Sequence, residues 1–424
     1  MKTADNSKMG EDFFKYLPSE IVVNILSRLP TRAAMACKCV CKPWLGMLTT
    51  PEFVNSHMSR SVPSIAIETH SKCYDIIEFA DELDLNFDAP IPCGVDFNFL
   101  LSYDGPIYRI HNDFDKEHRW DVTFSFRLPF KGRIQSSANG LIFLRDFVHD
   151  DLILCNPVTR DYLKLPCPRQ TSPKVPNAMD NCGFGVSGTT GKYKVVRIFA
   201  ETKERREGFR NACQVYTVGT GSWKNVPFGK PLRFCHDIGG VHLNGNLYWM
   251  VAKTTRGFCR WISCFDLEME HFSSVAAPPP RGRDFLLGRS LCVLRGCLCV
   301  SDISHHGRDH SDDESDEDDI PNDGHVIIWM MKGDDNSWTK IFVIPEVERS
   351  AGLGNVWPII IFRNGDALIE WDDGMIFFYS NKRRNFDCEI MSLEGREPFS
   401  STTIMYAPSF VSLKSFAMEN VSSF

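Results

Sequence analysis

At 424 residues, with 43% hydrophobic and 24% charged side chains, the chain has room for two or three domains with real cores, which excludes gross disorder. Its formal net charge of -7 argues against a nucleic-acid-binding surface. No run of about 18 apolar residues occurs, so no membrane span is expected.

The acidity is local. Residues 309–323 hold nine acids and neither Lys nor Arg, which leaves the rest of the chain at about +2. Residues 1–12 are polar, without an apolar run of signal-peptide length, and are expected to be disordered. A cytoplasmic or nuclear setting follows as the expectation, with the 16 cysteines as thiols. None of them forms a CxxC pair, so neither structural zinc nor a thioredoxin-type site is expected.

Residues 13–61 read as compact helices. In LPSEIVVNILSRLP, Pro18 suits a first helical turn, where its missing N–H would be unbonded anyway. Ile21, Val22, Ile25, Leu26 and Leu29 then form a broad apolar stripe at helical spacing, and Pro30 stops it. A second helix is expected over residues 31–40, and a third carries Val40, Trp44, Leu45 and Leu48. Thr50-Pro51 breaks it, and Phe53 with Val54 begins a short tail. Cys37, Cys39 and Cys41 alternate, which serves a three-ligand metal site poorly and suits buried small hydrophobes better. A module this small carries more Ile, Val, Leu and Trp than it can bury alone, which points to a partner.

The segment resembles an F-box, the helical motif that docks ubiquitin-ligase receptors onto the Skp linker subunit. The resemblance rests on Leu17-Pro18, Glu20, Ile21, Val22, Ile25-Leu26, Arg28-Leu29-Pro30, Arg32, Cys39-Val40-Cys41-Lys42, Trp44, Leu48, Pro51 and Phe53, in order and without a gap. It implies linker contacts at Leu17, Pro18, Ile21, Leu29, Pro30, Val40, Cys41 and Trp44.

Beyond residue 62 short runs of Val, Ile, Phe, Leu and Trp alternate with Gly, Asn, Asp and Pro turns, as in an all-β domain. Hairpin-like units recur with Gly turns at Gly140, Gly191, Gly245, Gly296 and Gly365. The steps are 51, 54, 51 and 69 residues, the last containing the acidic insertion. Each unit continues into a second hairpin ending near Pro, so one repeat makes a four-stranded blade. The expected fold is mainly β: a small helical domain over 13–61, then a β-propeller over 62–415 with a tail at 416–424. Six blades are expected, with seven as the other count and a β-sandwich as the rival. Residues 62–130, joined by a terminal strand within 401–415, would complete the set.

This body resembles the F-box-associated domain of a large plant receptor family. The shared residues include Asn139-Gly140-Leu141, Asn156-Pro157, Gly183-Phe184-Gly185, Tyr193-Lys194-Val195-Val196, Ser222-Trp223 and Leu247-Tyr248-Trp249. Trp223, Trp249 and Trp338 are expected to pack blades rather than stack a ligand. The acidic segment, expected as a disordered loop at 305–323, reads as solvated. Its sharper reading is phosphorylation at Ser311 and Ser315, each close to acids, or contact with a basic partner. His305, His306 and His310 beside it read as solvated rather than as a metal site.

No P-loop, GxSxG elbow, HExxH or dinucleotide fingerprint occurs, so no catalytic, cofactor or metal residue is assigned. Together the two resemblances imply a substrate-recognition subunit of a Skp-cullin-F-box ubiquitin ligase. Its partners would be the Skp linker, through it a cullin and a RING subunit, and an unidentified protein target. A Skp-bound scaffold outside any ligase, and a glycan-binding or enzymatic propeller, are the alternatives.

Overall fold

The computed structural model describes residues 16–61, 64–70, 72–78, 108–110, 118–120, 122–146, 148–167, 180–202, 209–228, 233–234, 239–252, 261–279, 285–305, 324–332, 337–347, 355–362, 365–371, 376–381, 385–387 and 402–424. Four short helices come first: α1 (Ser19–Leu26), α2 (Thr31–Cys37), α3 (Lys42–Met47) and α4 (Pro51–Met58). Pro18 and Pro30 sit just outside α1 and α2 with ψ of 144° and 150°. Each Leu-Pro pair therefore ends an extended approach and lets a helix begin.

Two expectations are corrected here. Phe53 and Val54 do not begin a tail but lie buried in α4. Thr50 caps that helix, its Oγ1 accepting the Phe53 N–H at 3.3 Å, and Pro51 fills the first position. The same dipeptide that stops α3 starts α4. The three alternating cysteines are not all buried either: α2 ends at Cys37, and Cys39 and Cys41 are exposed in the turn beyond it.

Six antiparallel sheets follow as the blades of a β-propeller. Their innermost strands are Thr403–Tyr406, Arg133–Ala138, Asn181–Val186, Val241–Leu243, Phe285–Leu294 and Val356–Ile361. Each neighbours the next, and the last returns to the first, closing the ring. Blade one continues outward through Ser64–His70, Cys73–Glu78 and Phe124–Arg127, and blade two through Leu141–Asp146, Asp151–Asn156 and Asp161–Lys164. Blade three adds Tyr193–Thr202, Phe209–Thr217 and Trp223–Val226; blade four adds Asn246–Ala252, Trp261–Asp266 and His271–Ala276. Blade five adds Cys297–His305, Gly324–Lys332 and Ser337–Val347; blade six adds Ala367–Trp371, Ile376–Ser380 and Asn385–Asp387. As the repeats suggested, blade one is assembled from both ends of the chain, Ser64–Ile67 pairing with Thr403–Tyr406.

The Gly turns of the repeats are inner hairpins. Asn139-Gly140, Asn244-Gly245 and Arg295-Gly296 all have positive φ at both positions, the type I′ geometry that matches strand twist. At Gly140 (φ +82°) a Cβ would stand 2.0 Å from that of Ser409, so the close approach itself requires glycine. Buried apolar residues form one cluster at each blade junction, exemplified by Phe143 against Phe184 between blades two and three. A further cluster lies under the helices.

Four of the six blade junctions also share an aromatic clasp on the outer strand. Tyr162 meets Phe130 edge-on at 5.0 Å, and Phe272 meets Phe228 at 4.5 Å. Trp223 Nε1 donates to the Pro166 carbonyl at 2.7 Å, and Trp338 Nε1 to that of Ala276 at 2.9 Å. Each side chain reaches back to the residues leaving the preceding blade. Trp223 and Trp338 are thus clasps, and Trp249 is buried between blades three and four.

The expected tail at 416–424 is the third correction. Val421–Ser423 is a fifth strand of blade two, paired with Asp161–Leu163. On the way Phe416 packs against Tyr193 at 5.6 Å, and Glu419 Oε1 accepts from the Tyr216 hydroxyl at 2.7 Å and the Gly219 N–H at 2.6 Å. The expected disordered residues 1–12, and Ser311 and Ser315 with His306, His310 and the rest of the acidic run, lie outside the described residues. His305 ends a strand of blade five.

Candidate partner-docking surface

Helix α1 explains why its sequence stripe looked too broad. Val22 and Leu26 turn inward, 2% exposed each, against Ala34, Leu48, Phe53 and Val54. Ile21 and Ile25 point the other way into solvent. Residues one apart on a helix lie about 100° apart, so adjacent aliphatic pairs give two faces rather than one. The inner face forms the module's core. The outer face is left bare.

Six large apolar residues of this module, Tyr16, Leu17, Ile21, Ile25, Val40 and Leu45, are between 39% and 75% exposed. Such a concentration on one small module is the mark of a surface kept for another chain. Of the eight sequence-nominated residues, Leu17, Pro18, Ile21, Pro30, Val40 and Cys41 are exposed. Leu29 and Trp44 are half-buried against the helical core, so they also carry packing. Tyr16, Ile25 and Leu45 were not nominated. Ile25 and Leu45 were visible in the helical spacing, but spacing alone does not tell the inward row from the outward one.

The module is fixed to the propeller rather than tethered. Phe410 and Val158 from the propeller enter the core beneath the helices. The rings of Phe53 and His57 meet Phe410 at 5.3 and 5.0 Å. Lys38 Nζ stands 4.7 Å above the same ring and donates to the Val158 carbonyl at 3.4 Å. Burial pushes the Lys38 ammonium down, opposed by the charge of Asp161. Burial likewise lowers the His57 imidazole, opposed by its hydrogen bond to the Leu29 backbone. Ser61 Oγ adds a bond to the Pro408 carbonyl at 3.3 Å.

Several buried charges of the propeller are paired. Arg197 Nη2 reaches Asp180 at 2.7 Å, and both contact the neighbourhood of Arg145 and Asp150. Arg289 forks onto Asp302 at 2.6 and 2.7 Å, while Lys194 meets Glu270 at 2.8 Å. Each pair ties neighbouring strands or blades, which is structural work. Among the described residues no group of three or more His, Cys, Asp or Glu is placed to hold a metal ion, and no helix is long and apolar enough to cross a membrane.

Comparison with known proteins bears on both parts. Residues 14–54 match the family described as F-box-like, and residues 107–385 match the F-box associated beta propeller domain. F-box protein At3g07870 of Arabidopsis thaliana is 26% identical over 408 residues, covering 87% of this chain and 86% of its own length. F-box protein DOR of the same plant is 25% identical over 300 residues, 66% of either chain. F-box protein CPR1, also from Arabidopsis thaliana, is 24% identical over 370 residues, 81% of this chain and 76% of its own.

Proposed function

Since the chain belongs to the F-box proteins that carry an F-box associated β-propeller domain, we propose that it is the substrate-recognition subunit of a Skp-cullin-F-box ubiquitin ligase. The observation that carries this reading is the bare apolar face of the helical module, Tyr16, Leu17, Ile21, Ile25, Val40 and Leu45. That face seats the Skp linker, and through it a cullin and a RING subunit. The propeller holds a target protein.

The subunit acts by proximity and catalyses nothing itself. Holding target and charged conjugating enzyme in one assembly raises their effective concentration, and acyl transfer belongs to the other subunits. The anchoring of the helices on Phe410 and Val158 supports such a role, because a fixed module keeps the bound target in a defined position. The setting is cytosolic or nuclear, which imaging of a fluorescent fusion would check.

Ile21→Asp combined with Val40→Asp tests the linker contact. Both side chains face solvent, so the fold should stand. Linker affinity should fall by about a hundredfold or more, two apolar anchors of the interface having been made charged. Isothermal titration against purified Skp linker measures it, and co-purification of cullin from cells separates a ligase from a scaffold. Unchanged affinity with an unchanged melting curve would overturn the docking face.

A further inference from the structure

Blade one has two ends with different company. Its strands Cys73–Glu78 and Phe124–Arg127 begin or finish at the helices: Phe124 packs into the cluster beneath them, and the Glu78 carboxyl bonds to Thr31 of α2. At about 3.3 Å per residue the opposite ends of these strands lie about 10–17 Å away. There the chain gathers Lys72, Arg127, Lys131 and Arg133. Arg127 stands opposite Cys73 in the ladder, beside Lys72. Lys72 Nζ donates to the Pro129 carbonyl at 3.2 Å, and its own carbonyl accepts the Leu128 N–H at 2.9 Å. Lys131 and Arg133 both act on the carboxyl of Glu68.

Among the described residues, the acids of this end cancel little of that charge. Glu68 is buried, and burial pushes its carboxyl up to about 7, with Arg133, the Ile134 N–H and Lys131 opposing. Asp151 is held by Lys164 at 2.7 Å, and Asp150 by Arg145 at 2.8 Å and by Arg197. Asp146 caps its own turn and bonds His149 at 2.7 Å. Arg127, Lys131 and Arg133 are exposed and form no ion pair among the described residues. Phe130, half-buried among them, meets Tyr162 edge-on at 5.0 Å and has Lys164 Nζ over its ring at 5.5 Å.

We propose that this rim binds an acidic segment of the recruited protein, its carboxylates meeting Arg127, Lys131 and Arg133. The inference rests on the receptor reading above and adds the chemistry of the target. The rim lies at the end of blade one away from the helices, so target and linker do not compete for space. Nucleic acid fits less well: phosphate tracking commonly uses about six to ten contacts, and this chain is acidic as a whole.

The test uses the full chain bound to its Skp linker and a fluorescein-labelled peptide of alternating Glu and Ser, followed by anisotropy. A Gly-Ser peptide and an oligothymidine serve as competitors. Wild type should bind the acidic peptide about tenfold or more tighter than the neutral one, and more weakly as salt rises. R127E/K131E/R133E should abolish the difference, and R127Q/K131Q/R133Q should reduce it several-fold, both keeping the linker. Equal binding by wild type and reversed rim overturns the proposal, as does oligothymidine outcompeting the peptide. Should the reversed rim fail to fold, the glutamine variant decides: affinity within twofold of wild type overturns it. Peptide binding without any linker binding would sink the ligase reading and leave the rim standing.

Discussion

Single residues hold the blades in ways no local pattern announces. Arg197 is 2% exposed and meets Asp180, 17 residues away, and Asp150, 47 residues away. Removing one partner of such a group strands a buried charge, which is why its pairing is obligatory. No spacing in the sequence marks these partners: Asp180 meets Arg197 across the first hairpin of blade three, and Asp150 reaches it from a turn of blade two. Glu68 gives the clearest pH consequence. Its folded carboxyl, raised to about 7 against an ordinary 4.5, keeps its proton after the unfolded chain has released one. Glu68 therefore contributes stability below its unfolded value that is lost as pH rises through about 7. Glu68→Gln, which stays neutral, should match wild type near pH 4 and melt about 2 °C or more higher near pH 8. Thermal melts across that range check it, and a constant difference would show that Glu68 is not held neutral.

Elements were legible where their signals were local. The Gly turns and the fifty-residue period located the blades, and the two-ended first blade followed from the leftover strands. Signals made of two parts were misread. Thr50-Pro51 stops one helix and starts another, and only the start carries the buried Phe53 and Val54. The carboxy-terminal strand was missed because three residues, Val-Ser-Ser, show no alternation, and its partner Asp161–Leu163 lies far back in the chain. Its worth is measurable. Phe424 packs against Phe126 at 5.6 Å and Tyr162 at 6.3 Å, so deleting residues 421–424 removes a strand and an aromatic plug together. The cost should be about 2–4 kcal/mol, from one aromatic and its ladder bonds, read as a lower urea midpoint. An unchanged midpoint would mean the strand merely rests on blade two.

At the scale of the whole molecule the helical module sits on the ring through the aromatic group Phe53, His57 and Phe410 with Lys38 above, joined by Val158, Phe124 and the bond from Ser61 to Pro408. The exposed apolar residues of the module were half legible. Leu-Pro pairs and the Val-Cys-Lys-x-Trp run located the module, but helical spacing did not separate Ile21 and Ile25 outside from Val22 and Leu26 inside. Nor did anything local point to Phe410, which arrives from the far end of the chain. Phe410→Ala should cost about 3–5 kcal/mol and raise amide exchange throughout α1 to α4. Exchange unchanged in the helices would show that they are stable without the ring.

The pairing of Ser64–Ile67 with Thr403–Tyr406 has a bearing on manufacture. A ribosome releases the helices before the propeller, yet the strand that shuts the disc, and the phenylalanine that steadies those helices, emerge only after blade six. Until then the Ser64–Ile67 edge of blade one lacks its partner strand and is open to pairing with other chains. A product that stops before Thr403 never loses that edge. Shutting the disc and seating the helices are thus one event, since Phe410 follows the closing strand Thr403–Tyr406 by four residues.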